Sequence, residues 1–333
     1  KWGEARGLLE HALAAAGADK VAADASYYSA NCLLRAEAYA DAATAYQAFL
    51  EKFGTSDRRA SALYDLAWAY RGLKDEAKAQ EYFRRVSEEA QQVELKADAL
   101  FRLAEARYDE GNYQEAVRLY GRIVALKDVA FLDKVYYKLG WSYEKAGRPR
   151  EALEAYRTVG ERHAQSEVAP DAAFRAGRML QELGEHQQAA DQFARLLQTQ
   201  GLDKELAVRT RFHLAESLKA LKNWAEALRL YRELAQPGSG FEPAYQAFHG
   251  MGTCALELDA LQDAWDAFTQ VVQRTETETA AMAQLALGEV LYRQKKFPEA
   301  SREFLKVDIL YGYPKWKPRA LLRAAQALSL IHI

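Results

Sequence analysis

The side chains able to do acid–base or metal chemistry are few and badly spaced for it. The histidines at 11, 163, 186, 213, 249 and 332 form no His-x-His pair and no His-Glu-x-x-His. His213 and Glu216 lie three apart on one helix face and could ligate a metal, but an ion pair is the plainer reading. His249 and Cys254 are five apart and do not share a face. Gly250-Met251-Gly252 is a lone Gly-x-Gly with no strand before it, so it is no phosphate loop. Cys32 and Cys254 read as small core residues, too far apart in the chain's expected architecture to bridge. No catalytic, cofactor-binding or metal-binding residue is therefore assigned.

The composition narrows the field. The 333 residues are 50% apolar and 11% aromatic, too apolar for a disordered chain. Lys plus Arg number 45 against 47 Asp plus Glu, so the net charge of −2 lacks the basic excess of a nucleic-acid binder. No run approaches the ~18 apolar residues of a transmembrane segment.

What positions the remaining side chains is a repeat. A small residue followed four positions later by an aromatic occurs at Ala42/Tyr46, Ala79/Phe83, Ala116/Tyr120 and Ala152/Tyr156. It continues at Ala189/Phe193, Ala227/Tyr231, Ala264/Phe268 and Ala300/Phe304. Successive alanines lie 36 to 38 residues apart. Twelve residues upstream runs a second series, Ala30, Ala67, Ala104, Gly140, Gly177, Ala215, Gly252 and Gly288. Small residues recurring at one place mark a close helix crossing, because a larger side chain holds the axes apart. Each unit thus reads as helix A, a turn and helix B, with the small-residue seam between them.

Breakers fit that register. Gly111, Gly147 and Gly184 fall in the A-to-B turn, where a left-handed cap is wanted. Pro149 and Pro298 fall in the first turn of a helix B, and Pro170, Pro243 and Pro318 near the start of a helix A. The predicted organisation is one continuous array over 1–333. Residues 1–22 are helix B of a preceding unit plus a linker. Full repeats cover 23–59, 60–96, 97–132, 133–169, 170–207, 208–244, 245–280 and 281–317, and 318–333 is helix A of a truncated unit. Ser329-Leu330-Ile331-His332-Ile333 does not resemble the polar turn of the other units and is assigned no role.

A unit such as DALFRLAEARYDEGNYQEAVRLYGRIV resembles the tetratricopeptide repeat (TPR), and the resemblance runs through essentially the whole chain. The departure is a length of 36–38 residues rather than 34, the excess lying in the B-to-A junction. Segments such as FLEKFGTSDRRASALYDLAWAY further resemble periplasmic TPR proteins of outer-membrane assembly and the Tol–Pal system, which favours the periplasm or cell envelope over the cytoplasm. The resemblance implies an all-α, right-handed α-solenoid of stacked helix-turn-helix units, with a concave groove lined by helix A that holds peptides or proteins. The Lys and Asn that clamp a C-terminal carboxylate in chaperone-binding TPR domains are not carried over, since rings stand where the first Lys belongs.

Within that groove one helix A position reads Tyr27, Tyr64, Phe101, Tyr137, Phe174, Phe212 and His249. Inter-repeat packing is the plain reading of this ring ladder; the alternative is an apolar track for an extended peptide. Four residues on, the position varies: Asn31, Trp68, Glu105, Trp141, Arg178, Glu216, Thr253 and Glu289. Trp68 and Trp141 are the candidate anchors, since rigid aromatics dominate interfaces. Tyr108 joins them on the same face. Lys138, Arg175 and Arg178 belong to a middle stretch with a basic excess, which predicts an acidic partner segment. The expected function is a non-catalytic scaffold or adaptor for protein partners, without cofactor, metal or nucleic acid. The alternatives are a docking arm of a larger enzyme or envelope complex and, behind it, a single-stranded RNA binder.

Overall fold

The computed structural model describes residues 2–15 and 20–331. Among these the chain is all-α, with eighteen helices and no strand. It divides after Ala169 into two compact units. The first holds α1 (Trp2–Ala15), α2 (Lys20–Arg35), α3 (Tyr39–Lys52), α4 (Arg59–Gly72), α5 (Glu76–Glu89), α6 (Val93–Asp109), α7 (Tyr113–Val124), α8 (Leu132–Lys145) and α9 (Pro149–Arg162). The second holds α10 (Ala169–Glu182), whose first residue marks the division, then α11 (His186–Leu197), α12 (Lys204–Ala220), α13 (Trp224–Ala235), α14 (Ala244–Glu257), α15 (Leu261–Arg274), α16 (Glu278–Arg293), α17 (Phe297–Leu310) and α18 (Lys317–Ser329). Within each unit consecutive helices pack on one another as hairpins. The linker at 16–19 and His332 and Ile333 of the tail lie outside the described residues.

The hairpins close by one repeated turn. Glu37, Lys74, Gly111, Gly147, Gly184, Lys222, Asp259 and Lys295 all take φ between 58° and 78°. In each turn that residue's N–H bonds the carbonyl three back, and the next N–H bonds the carbonyl five back, as in Lys74 to Arg71 and Asp75 to Tyr70, both 2.9 Å. These bonds satisfy carbonyls that the end of helix A would otherwise leave unpaired. The left-handed turn is therefore universal, and glycine is only one way to fill it. At the start of the following helix, Asp75 accepts the Lys78 N–H and Asn112 accepts the Glu115 N–H.

The small residue of helix A meets the aromatic of helix B across the hairpin. A Cβ placed on Gly140 falls 2.5 Å from the Tyr156 ring, on Gly177 2.5 Å from Phe193, on Gly252 2.8 Å from Phe268 and on Gly288 2.5 Å from Phe304. Ala30, Ala67, Ala104 and Ala215 hold the same place and are wholly buried. The aromatic sixteen residues after each small residue thus lies across it, and the helices approach as closely as that ring permits. Tyr46, Tyr120, Tyr156, Phe193, Tyr231, Phe268 and Phe304 are among the largest fully buried side chains, so this seam is the core of each unit.

Candidate interaction surface

The ring ladder packs inward within its own hairpins. Tyr27 meets Tyr46 at 6.1 Å between centroids, Tyr64 meets Phe83 at 5.6 Å, and Phe101 meets Tyr120 at 5.5 Å. Tyr137 meets Tyr156 at 6.2 Å, Phe174 meets Phe193 at 5.9 Å, and Phe212 meets Tyr231 at 6.3 Å. Tyr27, Phe101 and Phe174 are buried, whereas Tyr64, Tyr137 and Phe212 are half-buried. Contact with the next hairpin is made by hydroxyls at two rungs, where Tyr27 donates to Asp65 at 2.7 Å and Tyr64 donates to Asp98, and by rings at two others, where Phe101 meets Phe131 at 5.8 Å and Phe174 meets His213 at 5.3 Å.

Asp65 anchors the first of these links. Its Oδ2 accepts from the hydroxyls of Tyr27 and of Tyr46, the latter at 3.2 Å, and from Asn31 Nδ2 at 3.4 Å. Burial raises its carboxyl above the usual carboxylate range, and the three donors only partly offset this. Burial, and then the neighbouring carboxylate, holds the Tyr27 and Tyr46 phenols far above their ordinary value. Tyr64 is pushed up to about 12 by burial and by its bond to Asp98. These hydroxyls therefore act as fixed donors and not as acids or bases.

Trp68 is the most developed feature of the first unit's helix A face. It is half-buried, with its ring edge-on to Tyr64 and Phe83 and the guanidinium groups of Arg71 and Arg102 at 5.2 and 5.3 Å from its centroid. Arg102 is held by Asp98 and Glu105, each at 3.2 Å, while Arg71 has no ion pair among the described residues. Trp68, Tyr64, Asp65, Arg71 and Arg35 line an open cleft of about 470 Å³ between α2 and α4. Further along, Trp141 packs on Tyr137 at 5.8 Å and Tyr108 at 6.2 Å, and Tyr108 on Tyr113 at 5.2 Å. Lys138 lies 3.3 Å from Glu105 and 6.0 Å from the Trp141 ring.

In the second unit Phe174, Phe193 and Phe212 surround His213 at 5.3 to 5.8 Å. Gln181 locks that imidazole by a 2.9 Å contact to Nδ1 and a bond to the His213 carbonyl at 2.8 Å. Burial, then the charge of Arg178, lowers His213 to about 4. Glu216 is occupied by Lys219 at 2.7 Å and by the Tyr231 hydroxyl, and no bond joins it to His213. Among the described residues no three His, Cys, Asp or Glu side chains cluster as metal ligands. Arg175 pairs with Asp171 at 2.8 Å. Phe212 stacks on the buried Phe241 at 4.7 Å, which pins the Pro237–Gly240 loop to α12. Cys32 and Cys254 are buried free thiols, and burial lifts Cys254 to about 11.

Two features escaped the reading of the sequence. Asp65 carries no mark in the repeat pattern, because the tyrosines it joins are 19 and 38 residues away. The second is an open cleft of about 580 Å³ across α14, α16 and α18, outside the stretch where candidate residues were placed. His249, the last rung of the ladder, and Thr253 and Glu289 of the variable position were its signals.

Hairpins of this kind define the α-solenoid class, whose members present extended helix faces rather than an enclosed reaction centre. Tetratricopeptide-repeat profiles match residues 1–57, 60–92, 98–126, 137–203 and 209–236, and the chain belongs to the tetratricopeptide repeat family. No curated protein matches it. Among solved structures it is similar to the C-terminal part of a TPR repeat-containing protein from Cytophaga hutchinsonii, at 14% identity and a TM-score of 0.56, covering 77% of this chain and 98% of that one. The apo form of RapI gives 12% identity and a TM-score of 0.53, covering 93% and 98%. YrrB, a TPR protein with an unusual peptide-binding site, gives 17% and 0.50, covering 65% and 99%. At these identities the likeness shows the fold alone; membership of the tetratricopeptide repeat family supports a protein-interaction scaffold in general. No helix among the described residues is long and apolar enough to cross a membrane.

Proposed function

We propose that the chain is a non-catalytic scaffold that holds peptide segments of protein partners against its helix A faces. The observation that carries this is the cleft at Trp68, where a half-buried indole lies beside Arg71, a cation without an ion pair among the described residues. Tryptophan, tyrosine and arginine are the side chains enriched among the residues that carry interface binding energy. Tyr64, Tyr108, Tyr137, Trp141 and Phe212 offer further half-buried ring surface on the same helices. YrrB, similar in fold, has a peptide-binding site, and this supports the same use here. The acidic partner segment belongs to this proposal too. Lys138 and Arg175 already face Glu105 and Asp171, so a partner carboxylate shares these cations, and its effect falls on association rate more than on affinity.

The test is quantitative crosslinking with mass spectrometry in source cells, comparing the parent with Trp68→Ala and Trp141→Ala. Loss of an anchor of about 2 kcal/mol lowers affinity about thirtyfold, so specific partners should drop out while the fold survives. Recovery of nucleic acid alone would overturn the scaffold reading.

A further inference from the structure

The cleft on the second unit draws its walls from three successive groove helices and differs in character from the one at Trp68. Its floor is apolar, formed by Leu256 of α14 and Met282, Leu285 and Ala286 of α16, with Met282 and Ala286 only half-buried. About 580 Å³ lies within the range of ligand pockets and accommodates two or three side chains of a peptide. Every lining residue but Trp316 lies within a helix, so these walls offer no sheet edge and recognition falls to side chains.

The rim is where the charges do not cancel. Glu289 is held by Arg323 and by Arg293 at 3.9 Å, and Glu257 by Arg293 at 3.8 Å. Arg293 also donates to the Leu256 carbonyl at 2.7 Å. Thr253 spends its hydroxyl on the His249 carbonyl at 2.9 Å, and burial holds the His249 ring neutral, at about 4. Trp316 gives its indole N–H to Glu278 at 2.8 Å. Arg319, on α18, remains: exposed, lining the cleft, and with no ion pair or hydrogen bond among the described residues. Two carboxylates against three guanidinium groups leave one positive charge at the edge of an apolar floor.

We propose that this cleft takes a partner segment carrying a bulky apolar side chain next to an acidic one. The apolar group sits on Met282, Leu285 and Ala286, and the carboxylate meets Arg319. The inference rests on the scaffold reading and deepens it, placing one specificity site on α14, α16 and α18.

Panning a phage-displayed library of random dodecapeptides on the full chain, then measuring synthetic copies by fluorescence polarisation, tests this. Enriched peptides should share an apolar residue beside Asp or Glu. Met282→Lys and Arg319→Glu should each weaken them about tenfold or more, at unchanged helicity. Changing the peptide's acidic residue to its amide should weaken binding to the parent but not to Arg319→Gln, and that coupling survives even if Met282→Lys misfolds. Peptides that bind Arg319→Gln and Arg319→Glu as tightly as the parent overturn this site and leave peptide binding standing. The site is likewise overturned if affinity follows a free C-terminus and not the acidic side chain. An array that enriches no peptide overturns both readings.

Discussion

Adding one methyl group at Gly140 should destabilise the protein, while the same change at Gly160, twenty residues on in the same hairpin, should stabilise it. A Cβ on Gly140 stands 2.5 Å from Cε1 and 2.7 Å from Cδ1 of Tyr156. Carbon atoms pack best at about 3.5–4.0 Å, so α8 and α9 must part by about 1 Å or the ring must turn. The ring has little freedom: Tyr156 is 1% exposed and its hydroxyl donates to Glu144 at 2.9 Å. Overpacking of this kind costs about 1–3 kcal/mol. The gain from replacing a helical glycine by alanine is about 0.5–1 kcal/mol, leaving a net loss of up to about 2.5 kcal/mol, centred on about 1 kcal/mol. Gly160 has nothing within 4 Å of its added Cβ, so it keeps the gain alone. Urea unfolding of both variants, followed by circular dichroism at 222 nm, gives the two signs directly. If Gly140→Ala stabilises as much as Gly160→Ala, the small-residue seam is not a close crossing and the account of the core is wrong.

Three further outcomes follow from the turns, the buried carboxylate and the histidines. Lys74→Gly, Lys222→Gly and Lys295→Gly each remove a left-handed non-glycine residue, relieving about 1–2 kcal/mol of strain against about 0.5–1 kcal/mol of glycine entropy. The triple variant should gain roughly 2 kcal/mol in urea unfolding, and a loss would contradict the turn geometry. Asp65 has a folded-state pKa above its ordinary value of 3.8, so its proton is held more tightly in the fold. The stability difference between the parent and Asp65→Asn should therefore move in the parent's favour as pH falls through the raised value, and a flat difference would refute the burial of this charge. His213 and His249 are lowered to about 4 by burial, so the neutral rings favour the fold above pH ~6.5 and that contribution is lost as pH falls towards 4. Imidazole NMR titration should show two histidines still neutral near pH 5.5.

Much of this architecture is legible because a helix converts spacing into direction. Residues four apart share a face, so Ala152 and Tyr156, or Ala264 and Phe268, declare one buried stripe without any knowledge of what covers it. The same repetition places Gly140 and Tyr156 sixteen residues apart in one hairpin, and their contact follows from the length of the turn between them. Gly147 signals its left-handed turn because glycine alone adopts that conformation freely, whereas Lys74, Lys222 and Lys295 occupy the identical turn without any compositional mark. There the hydrogen bonds at the end of helix A impose the conformation, and the residue accepts the strain.

The chain's own residues thus determine the helices, their interval and the stripe each one buries, since all three depend on neighbours within a few turns. Tertiary structure alone decides which polar groups are left for a partner. Whether Tyr27 bonds Asp65, whether Glu289 neutralises Arg323 while Arg319 stays unpaired, and whether Met282 faces a cleft all depend on residues 34 to 38 positions away and beyond. A period repeats the backbone faithfully, but charge pairing is settled by the individual side chains that successive hairpins bring face to face.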